Sequence, residues 1–213
     1  MGVKPVGSRL EQARRHIAEL AAARDAAGLV ACMDGGWEVA AGRAVDALVG
    51  LGGAAEGPLR QALRSDRRFV RGWAAVALGR LGHHDVEDDL LWVLEALPVD
   101  RDQPDSFFNV WELAADLLGD WRSPRAVAPL VAALRSQGVH LIDVREQAAD
   151  SLGAIGDLRA VPALVSVLEA LSGRPDGDLD RACLTWHVVN ALRDLGGSDA
   201  EAAPARWRAG SGG

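Results

Sequence analysis

The sequence predicts an all-α fold, a right-handed α-solenoid of about six antiparallel helix pairs. A ten-residue phrase begins at Val70 and returns at Val110 and at Val144, with a pair of small residues at its centre and Leu-Gly at its end. Two weaker copies begin at Ala40 and Leu184. Recurrence at about the length of a helix pair indicates stacked repeats, in which each unit buries its apolar face against its neighbours.

Each copy predicts one amphipathic helix that ends in a turn. Repeat positions are numbered from 1 at the five residues just named. Positions 1, 5, 8, 9 and 12 are apolar apart from Ser151 at position 8, and this spacing marks one face of an α-helix. Alanine is frequent at positions 5 and 6, where a small side chain lets a neighbouring helix approach closely. Position 13, which suits a left-handed helix end, is glycine in four copies: Gly52, Gly82, Gly156 and Gly196.

A second helix is predicted after each turn. Residues that suit a helix start follow position 13: Asp85, Ser123 with Pro124, Asp157 and Ser198. Leucines four residues apart then indicate the apolar face of a second helix. These pairs are Leu59/Leu63, Leu90/Leu94, Leu130/Leu134 and Leu164/Leu168.

The ends of the array are expected to be atypical, because a terminal pair has a neighbour on one side only. Residues 10–20 are predicted to form the first helix of a divergent first pair, with Leu29 and Met33 on its second helix. Residues 200–207 are predicted as a shortened last helix. We therefore expect a single domain over residues 8–207, with flexible segments at 1–7 and 208–213.

The best-preserved copy carries a family resemblance. Val144-Arg145-x-x-Ala148-Ala149-x-x-Leu152-Gly153, followed by Ile155-Gly156-Asp157 and by Ala160-Val161-Pro162-Ala163-Leu164, resembles the HEAT-like repeats first associated with phycobilisome lyases. The resemblance covers about residues 8–207 and implies that the second helices line a concave, partner-binding face. It leaves the activity open, because that family spans bilin lyases, scaffolds, regulators and metal-dependent hydroxylases.

Composition and missing motifs narrow the function. Acidic residues outnumber basic ones 30 to 23, for a formal charge of −7, which argues against a general nucleic-acid binder. The N-terminal residues lack the apolar core of a signal peptide, and no apolar run is long enough to span a membrane, so a cytoplasmic protein is expected. Gly-x-Ser-x-Gly, Cys-x-x-Cys and an iron-binding His-Glu pair are absent from the sequence. We expect no cofactor, no metal and no disulfide between Cys32 and Cys183.

Tryptophan is frequent, with seven residues, and the repeat alignment separates core tryptophans from candidates for binding. Trp121 occupies position 12 and is predicted to be core. Trp92 lies between Leu90 and Leu94 on a second helix, away from the apolar stripe. It is the first candidate for an interface anchor, with packing against an adjacent helix as the alternative.

Five arginines lie close together in the sequence, with Asp66 as the one acid among them. They are Arg60, Arg64, Arg67, Arg68 and Arg71. Arg60 and Arg64 share a helix face, and Arg71 is at repeat position 2, which we expect to be exposed. The group suits a phosphate or an acidic segment; the alternative is a solvated helix end that the acidic run 87–89 partly neutralises.

Two long connections between copies, residues 98–109 and 172–181, are predicted to leave the same edge of the array. Long loops on one edge are common places for function in repeat proteins. Aspartates occur in both, but the rest of a calcium-loop pattern is missing. These residues are Asp100, Asp102, Asp105, Asp176, Asp178 and Asp180. Phe107 and Phe108 end the first connection and are further candidates for partner contact.

The function expected from the sequence is a non-catalytic scaffold that binds a protein or peptide partner, with oligomeric state left open. The candidate binding residues are Trp92, Arg60, Arg64, Arg67, Arg68, Arg71, Phe107, Phe108 and Trp111. One alternative is a DNA-lesion enzyme like the helical-repeat glycosylases, for which Trp111, Asp116 and Trp186 are the residues of interest. Another is a small-molecule tailoring enzyme or chromophore lyase.

Overall fold

The computed structural model describes residues 6–34, 38–96, 106–136, 142–172, 179–197 and 200–205. The regular structure in these ranges is helical throughout, with eleven α-helices and a further helical stretch at 200–205. This confirms the all-α prediction, and the packing is consistent with the predicted array of helix pairs. The handedness of the array stays a prediction.

The helices alternate as the copies require. First helices are α1 (Val6–Ala22), α3 (Glu38–Leu51), α5 (Arg68–Arg80), α7 (Ser106–Asp120), α9 (Ile142–Ile155) and α11 (Leu179–Leu195). Second helices are α2 (Ala26–Cys32), α4 (Glu56–Ala62), α6 (Glu87–Glu95), α8 (Val127–Leu134) and α10 (Val161–Ser172). Short 3-10 turns lead into α4, α6 and α10 at Gly52–Ala55, His84–Val86 and Leu158–Ala160.

Contacts along the chain define two compact units. One consists of Met1–Val93 and Asp100–Leu113, and the other of Leu94–Val99 and Ala114–Gly213. The predicted single domain over residues 8–207 therefore stays a prediction, although α1 already begins at Val6. The predicted tail 208–213 lies outside the described residues.

Burial follows the repeat positions. Positions 5 and 9 are fully buried in all five copies, because they face the second helix and the neighbouring first helix together. These residues are Ala44, Ala74, Ala114, Ala148 and Val188 at position 5, and Leu48, Leu78, Leu118, Leu152 and Leu192 at position 9.

The prediction that Trp121 belongs to the core is wrong in degree. Trp121 is half-buried, since position 12 lies where the first helix ends.

The turn at position 13 is left-handed even where glycine is absent. The φ angle is positive in every copy, at +77° for Gly156 and +51° for Arg122. In the Arg122 turn the Ser123 amide donates to the Leu118 carbonyl at 2.9 Å, and the His83 amide makes the equivalent bond to Leu78 at 3.0 Å. The repeat geometry therefore imposes a left-handed backbone conformation on Arg122, although arginine does not favour this conformation.

Consecutive first helices of the second unit pack so closely that the backbones are nearly in contact. A Cβ atom added to Gly119 would lie 3.3 Å from the Ser151 Cα, and one added to Gly153 would lie 3.0 Å from the Ala191 Cα. Both contacts join position 10 of one copy to position 8 of the next. Ser151, the polar exception at position 8, is thus a small residue at a point where small size is required.

Polar contacts also join consecutive first helices in both units. An aspartate at position 7 is bonded by a side chain of the following copy in three places, at 2.6 to 2.8 Å. The pairs are Asp46 with Arg80, Asp116 with Gln147, and Asp150 with His187. Positions 3, 7 and 10 therefore face the following copy, and positions 4, 8 and 11 face the preceding one.

The carboxyl of Asp116 is partly desolvated. Asp116 lies at the surface, yet partial desolvation by the neighbouring helices raises its pKa, and the charges of Asp120 and Asp150 raise it further. The hydrogen bond from Gln147 opposes this rise only in part. Asp46, by contrast, has a cationic partner in Arg80.

Gly153→Ala is expected to lower the free energy of unfolding by about 1 kcal/mol. Overpacking against the α11 backbone costs ~1–3 kcal/mol and outweighs the ~1 kcal/mol that alanine gains in helix propensity. Gly42→Ala is the matched control, because a Cβ there meets nothing within 4 Å. It should stabilise the chain. Urea unfolding followed by circular dichroism measures both, and equal stabilisation by the two variants would contradict the close approach.

Asp116→Asn is expected to raise the melting temperature at neutral pH. With a raised folded-state pKa, the stabilising contribution of Asp116 is complete below the unfolded-state pKa and is lost as pH rises through the folded-state value. Asparagine removes the charge and keeps an acceptor for Gln147. Its advantage should shrink as pH falls towards about 4, the ordinary aspartate pKa.

Asp46→Asn, at the same repeat position, is the control for this titration. It loses its ion pair with Arg80 and should not stabilise the chain. Thermal unfolding at several pH values checks both variants. A lower melting temperature for Asp116→Asn at pH 7 would contradict the assignment.

Candidate protein-binding surface

Arg60, the first of the five clustered arginines, is engaged within the chain. Its Nη1 donates to Asp85 Oδ2 at 2.7 Å, and its Nε donates to Glu56 Oε1 at 3.0 Å. His83 Nδ1 lies 3.4 Å from Nη2. The hydrogen bond from Arg60 lowers the pKa of Asp85, and the same bond raises the pKa of Arg60. Arg60 therefore joins α4 to the turn before α6, and its place in a partner-binding surface stays a prediction.

The rest of the cluster divides into paired and open arginines. Arg67, just before α5, forms an ion pair with Asp34 at the end of α2. Arg71 is paired as well, as described next. Arg64 and Arg68 are exposed, and within the described ranges neither guanidinium has a hydrogen bond or an ion pair. Two open cations thus remain from the five that the sequence groups together.

Arg71 lies between an aromatic ring and a carboxylate. Its guanidinium carbon is 4.2 Å from the centroid of the Trp92 ring. Nη2 and Nε donate to Asp89 Oδ1 at 2.7 and 3.1 Å. Arg71 is only partly exposed, so the prediction that position 2 is open to solvent is wrong, because α6 packs beside it. The predicted neutralisation by the acidic run is confirmed for Asp89.

Trp92 is positioned by the apolar stripe of α6. Leu90 and Leu94 on either side of it are buried, at 0% and 3% exposure, whereas Trp92 is half-buried. Arg71 covers one face of the indole. The ring is therefore held on the surface of the first unit in a fixed orientation, with a cation stacked on it.

The remaining aromatic candidates divide in the same way. Trp111 is 0% exposed and packs in the core, so its candidacy for partner contact is wrong. Phe107 and Phe108 belong to the first turn of α7, but their side chains lie outside the described part of the chain. Most of the two acidic connections, including Asp100, Asp102, Asp105, Asp176 and Asp178, also lies outside it, as does the side chain of Asp180.

One surface residue escaped the sequence-based selection of binding residues. Trp186 on α11 is 62% exposed, and with Leu158 it is one of two strongly exposed large apolar side chains among the described residues. Its ring meets the imidazole of His187 edge to face at 4.8 Å. The signal was its repeat position: position 3 carries glycine or glutamate in the other copies. That position faces the following copy.

Three observations bear on the enzyme alternatives. No cluster of three or more His, Cys, Asp or Glu side chains in these ranges is arranged to hold a metal ion. Burial raises the pKa of the Cys32 thiol, and the nearby Asp25 charge adds to this, so the reactive thiolate is disfavoured. The buried Trp111 cannot stack on a DNA base, which removes one of the residues of the glycosylase alternative.

No helix in the described ranges is both long and apolar enough to cross a membrane. The cytoplasmic location expected from the sequence stays a prediction.

Comparison with protein families agrees with the repeat geometry. Residues 101–182 match the HEAT repeats family, and residues 70–96 match the PBS lyase HEAT-like repeat. These segments contain the three copies that begin at Val70, Val110 and Val144. No curated protein matches the chain significantly. Two segments of the chain match HEAT repeats, and its first helices pack closely at glycines. The chain is therefore a HEAT-repeat protein.

Proposed function

We propose that this chain is a non-catalytic protein-binding module that holds an acidic segment of a partner protein against α5 and α6. HEAT repeats commonly mediate protein binding. The observation that carries the proposal is the stack of Arg71 on Trp92, fixed from the other side by Asp89. A tryptophan at the surface with a charged group already ordered on it is the kind of residue that dominates interface energetics.

The fixed geometry of this stack supports the assignment. Arg71 donates twice to a single carboxylate oxygen, which restricts a side chain that is otherwise rich in rotamers. Binding therefore loses less conformational entropy there than at a free arginine. Trp92 is half-buried, so the exposed part of the indole is available for apolar contact with the partner.

The open arginines supply the charge preference. Arg68 and Arg71 are three residues apart on α5 and so lie on neighbouring positions of one helix face. Arg64 and Arg68 keep all their side-chain donors available within the described part of the chain. Planar guanidinium groups bind carboxylates through paired donors, which favours a partner segment containing Asp or Glu.

A protein partner is favoured over nucleic acid. Four carboxylates adjoin the arginines that are already paired: Asp34, Glu56, Asp85 and Asp89. A continuous phosphate backbone would be repelled by them and by the net charge of −7, whereas a short acidic segment can avoid them. The two enzyme alternatives have no further support among the described residues.

Replacement of Arg64 and Arg68 by glutamate is expected to weaken binding of acidic peptides at least about tenfold, since two attractive contacts become repulsive. The probes are synthetic peptides that combine Asp and Glu with one leucine or phenylalanine, followed by fluorescence polarisation. The matched control is Arg14→Glu with Arg15→Glu, an equal charge change at exposed positions of α1. It should bind like the wild type.

Trp92→Ala tests the anchor separately and is also expected to lose binding, with folding checked by thermal unfolding. Basic peptides of the same length should not bind. If no acidic peptide binds, or if duplex DNA binds in an Arg64- and Arg68-dependent manner, the proposal fails.

A further inference from the structure

The face of α11 that carries Trp186 has no following first helix among the described residues. In earlier copies, positions 3, 7 and 10 face the next copy: Gly72 at position 3 lies against Val110, and Asp150 at position 7 bonds His187. In α11 these positions are Trp186, Asn190 and Arg193.

Exposure agrees with an unpaired face. Trp186 is 62% exposed, and Arg193 is exposed as well. Val189 at position 6 is half-buried, whereas the residues at position 6 of the four other copies are fully buried. Those residues are Val45, Ala75, Ala115 and Ala149.

This face does not allow another first helix to approach as closely as α11 approaches α9. At position 10 of α9, Gly153 lets the next helix approach until an added Cβ would lie 3.0 Å from the Ala191 backbone. Arg193 stands at that position in α11, and its side chain prevents the same approach. The face therefore differs from those of α7 and α9, where position 10 is glycine, and it presents an exposed indole, an unusual choice for the polar end that a repeat array needs.

The same face is complementary to itself. Trp186 and Arg193 are seven residues apart, close to two helical turns, and so lie on one side of α11. Arg193 Nη1 donates to Asn190 Oδ1 at 2.9 Å, which holds the guanidinium along the helix. In an antiparallel pair of α11 helices centred between Val189 and Asn190, Trp186 of each copy meets Arg193 of the other.

Charge favours this antiparallel arrangement. Beside Trp186, the carboxylates of Asp150 and Glu146 share one imidazole, with Asp150 at 2.8 Å and Glu146 at 3.7 Å from the ring nitrogens of His187. The Asp150 carboxylate brings negative charge to this end of α11. Arg193 is positive at the other end of the face, so each end attracts the opposite end of a second copy.

We propose that α11 is a homodimer interface, in which Trp186 of each copy stacks on Arg193 of the second copy across a twofold axis. The contact is isologous: the same residues are used on both sides, and each pair occurs twice. The stack combines the cation–π attraction of an arginine with burial of an indole. This proposal is independent of the peptide-binding surface on α5 and α6.

Sedimentation velocity of the full chain over a wide concentration range tests the dimer. Wild type is expected to show a concentration-dependent monomer–dimer equilibrium. Trp186→Arg places like charges together and should raise the dimer dissociation constant about thirtyfold or more, as loss of a tryptophan hot spot does. The double variant Trp186→Arg with Arg193→Trp exchanges the partners across the axis and should restore the dimer.

Leu158→Arg is the matched control, because Leu158 is the other strongly exposed apolar side chain in the described part of the chain, at 59%. It should dimerise like wild type. Thermal unfolding verifies that each variant is folded, as expected for surface positions. A wild type that stays monomeric at all concentrations overturns the proposal, as does a double variant that stays monomeric or an equal loss in Leu158→Arg.

These variants leave the Trp92 surface unchanged, and the peptide-binding variants leave α11 unchanged. Either proposal can therefore fail without the other.

Discussion

The close approach of consecutive first helices is the constraint on which the rest of the second unit depends. Position 10 of one copy reaches the backbone at position 8 of the next, so a side chain is excluded at the first and must be small at the second. At this distance the residues on either side are forced together as well. Asp116 and Asp150 are placed within hydrogen-bonding reach of the next copy. The carboxyl of Asp116 is partly desolvated there, which raises its pKa.

This constraint also assigns a direction to each face of a first helix. At positions that face a neighbouring helix, packing restricts which residue types fit. The residues at these positions therefore carry little information about function. Function is better sought where the repeat makes no demand. Trp92 meets this condition on a second helix, between two leucines that the core does require. Trp186 meets it at position 3 of α11, where the requirement lapses because no first helix follows in the described chain.

Sequence reasoning succeeded where a property depends on one helix and its repeat position. The buried positions 5 and 9 and the left-handed turns followed from periodicity and glycine spacing alone. It failed where the outcome depends on which side chains meet in space. Arg60, Arg67 and Arg71 were grouped as one basic cluster, but their carboxylate partners come from separate elements, at Asp85, Asp34 and Asp89. Position 2 was judged exposed because the alignment did not show how α6 packs beside Arg71.

Three of the five clustered arginines are neutralised locally, and this changes how the net charge of the chain bears on binding. In the proposed function, an acidic partner would be repelled by the overall charge of −7 but attracted by Arg64 and Arg68. At physiological ionic strength the screening length is about 8 Å, so charges on remote helices are largely hidden from a bound segment, whereas arginines in contact with it are not. Attraction by Arg64 and Arg68 therefore outweighs the repulsion for a segment in contact with them. On the rest of the surface, the acidic residues repel such a segment. An acidic protein with a small basic surface can in this way bind acidic segments at one place only, which is a source of specificity that the composition alone conceals.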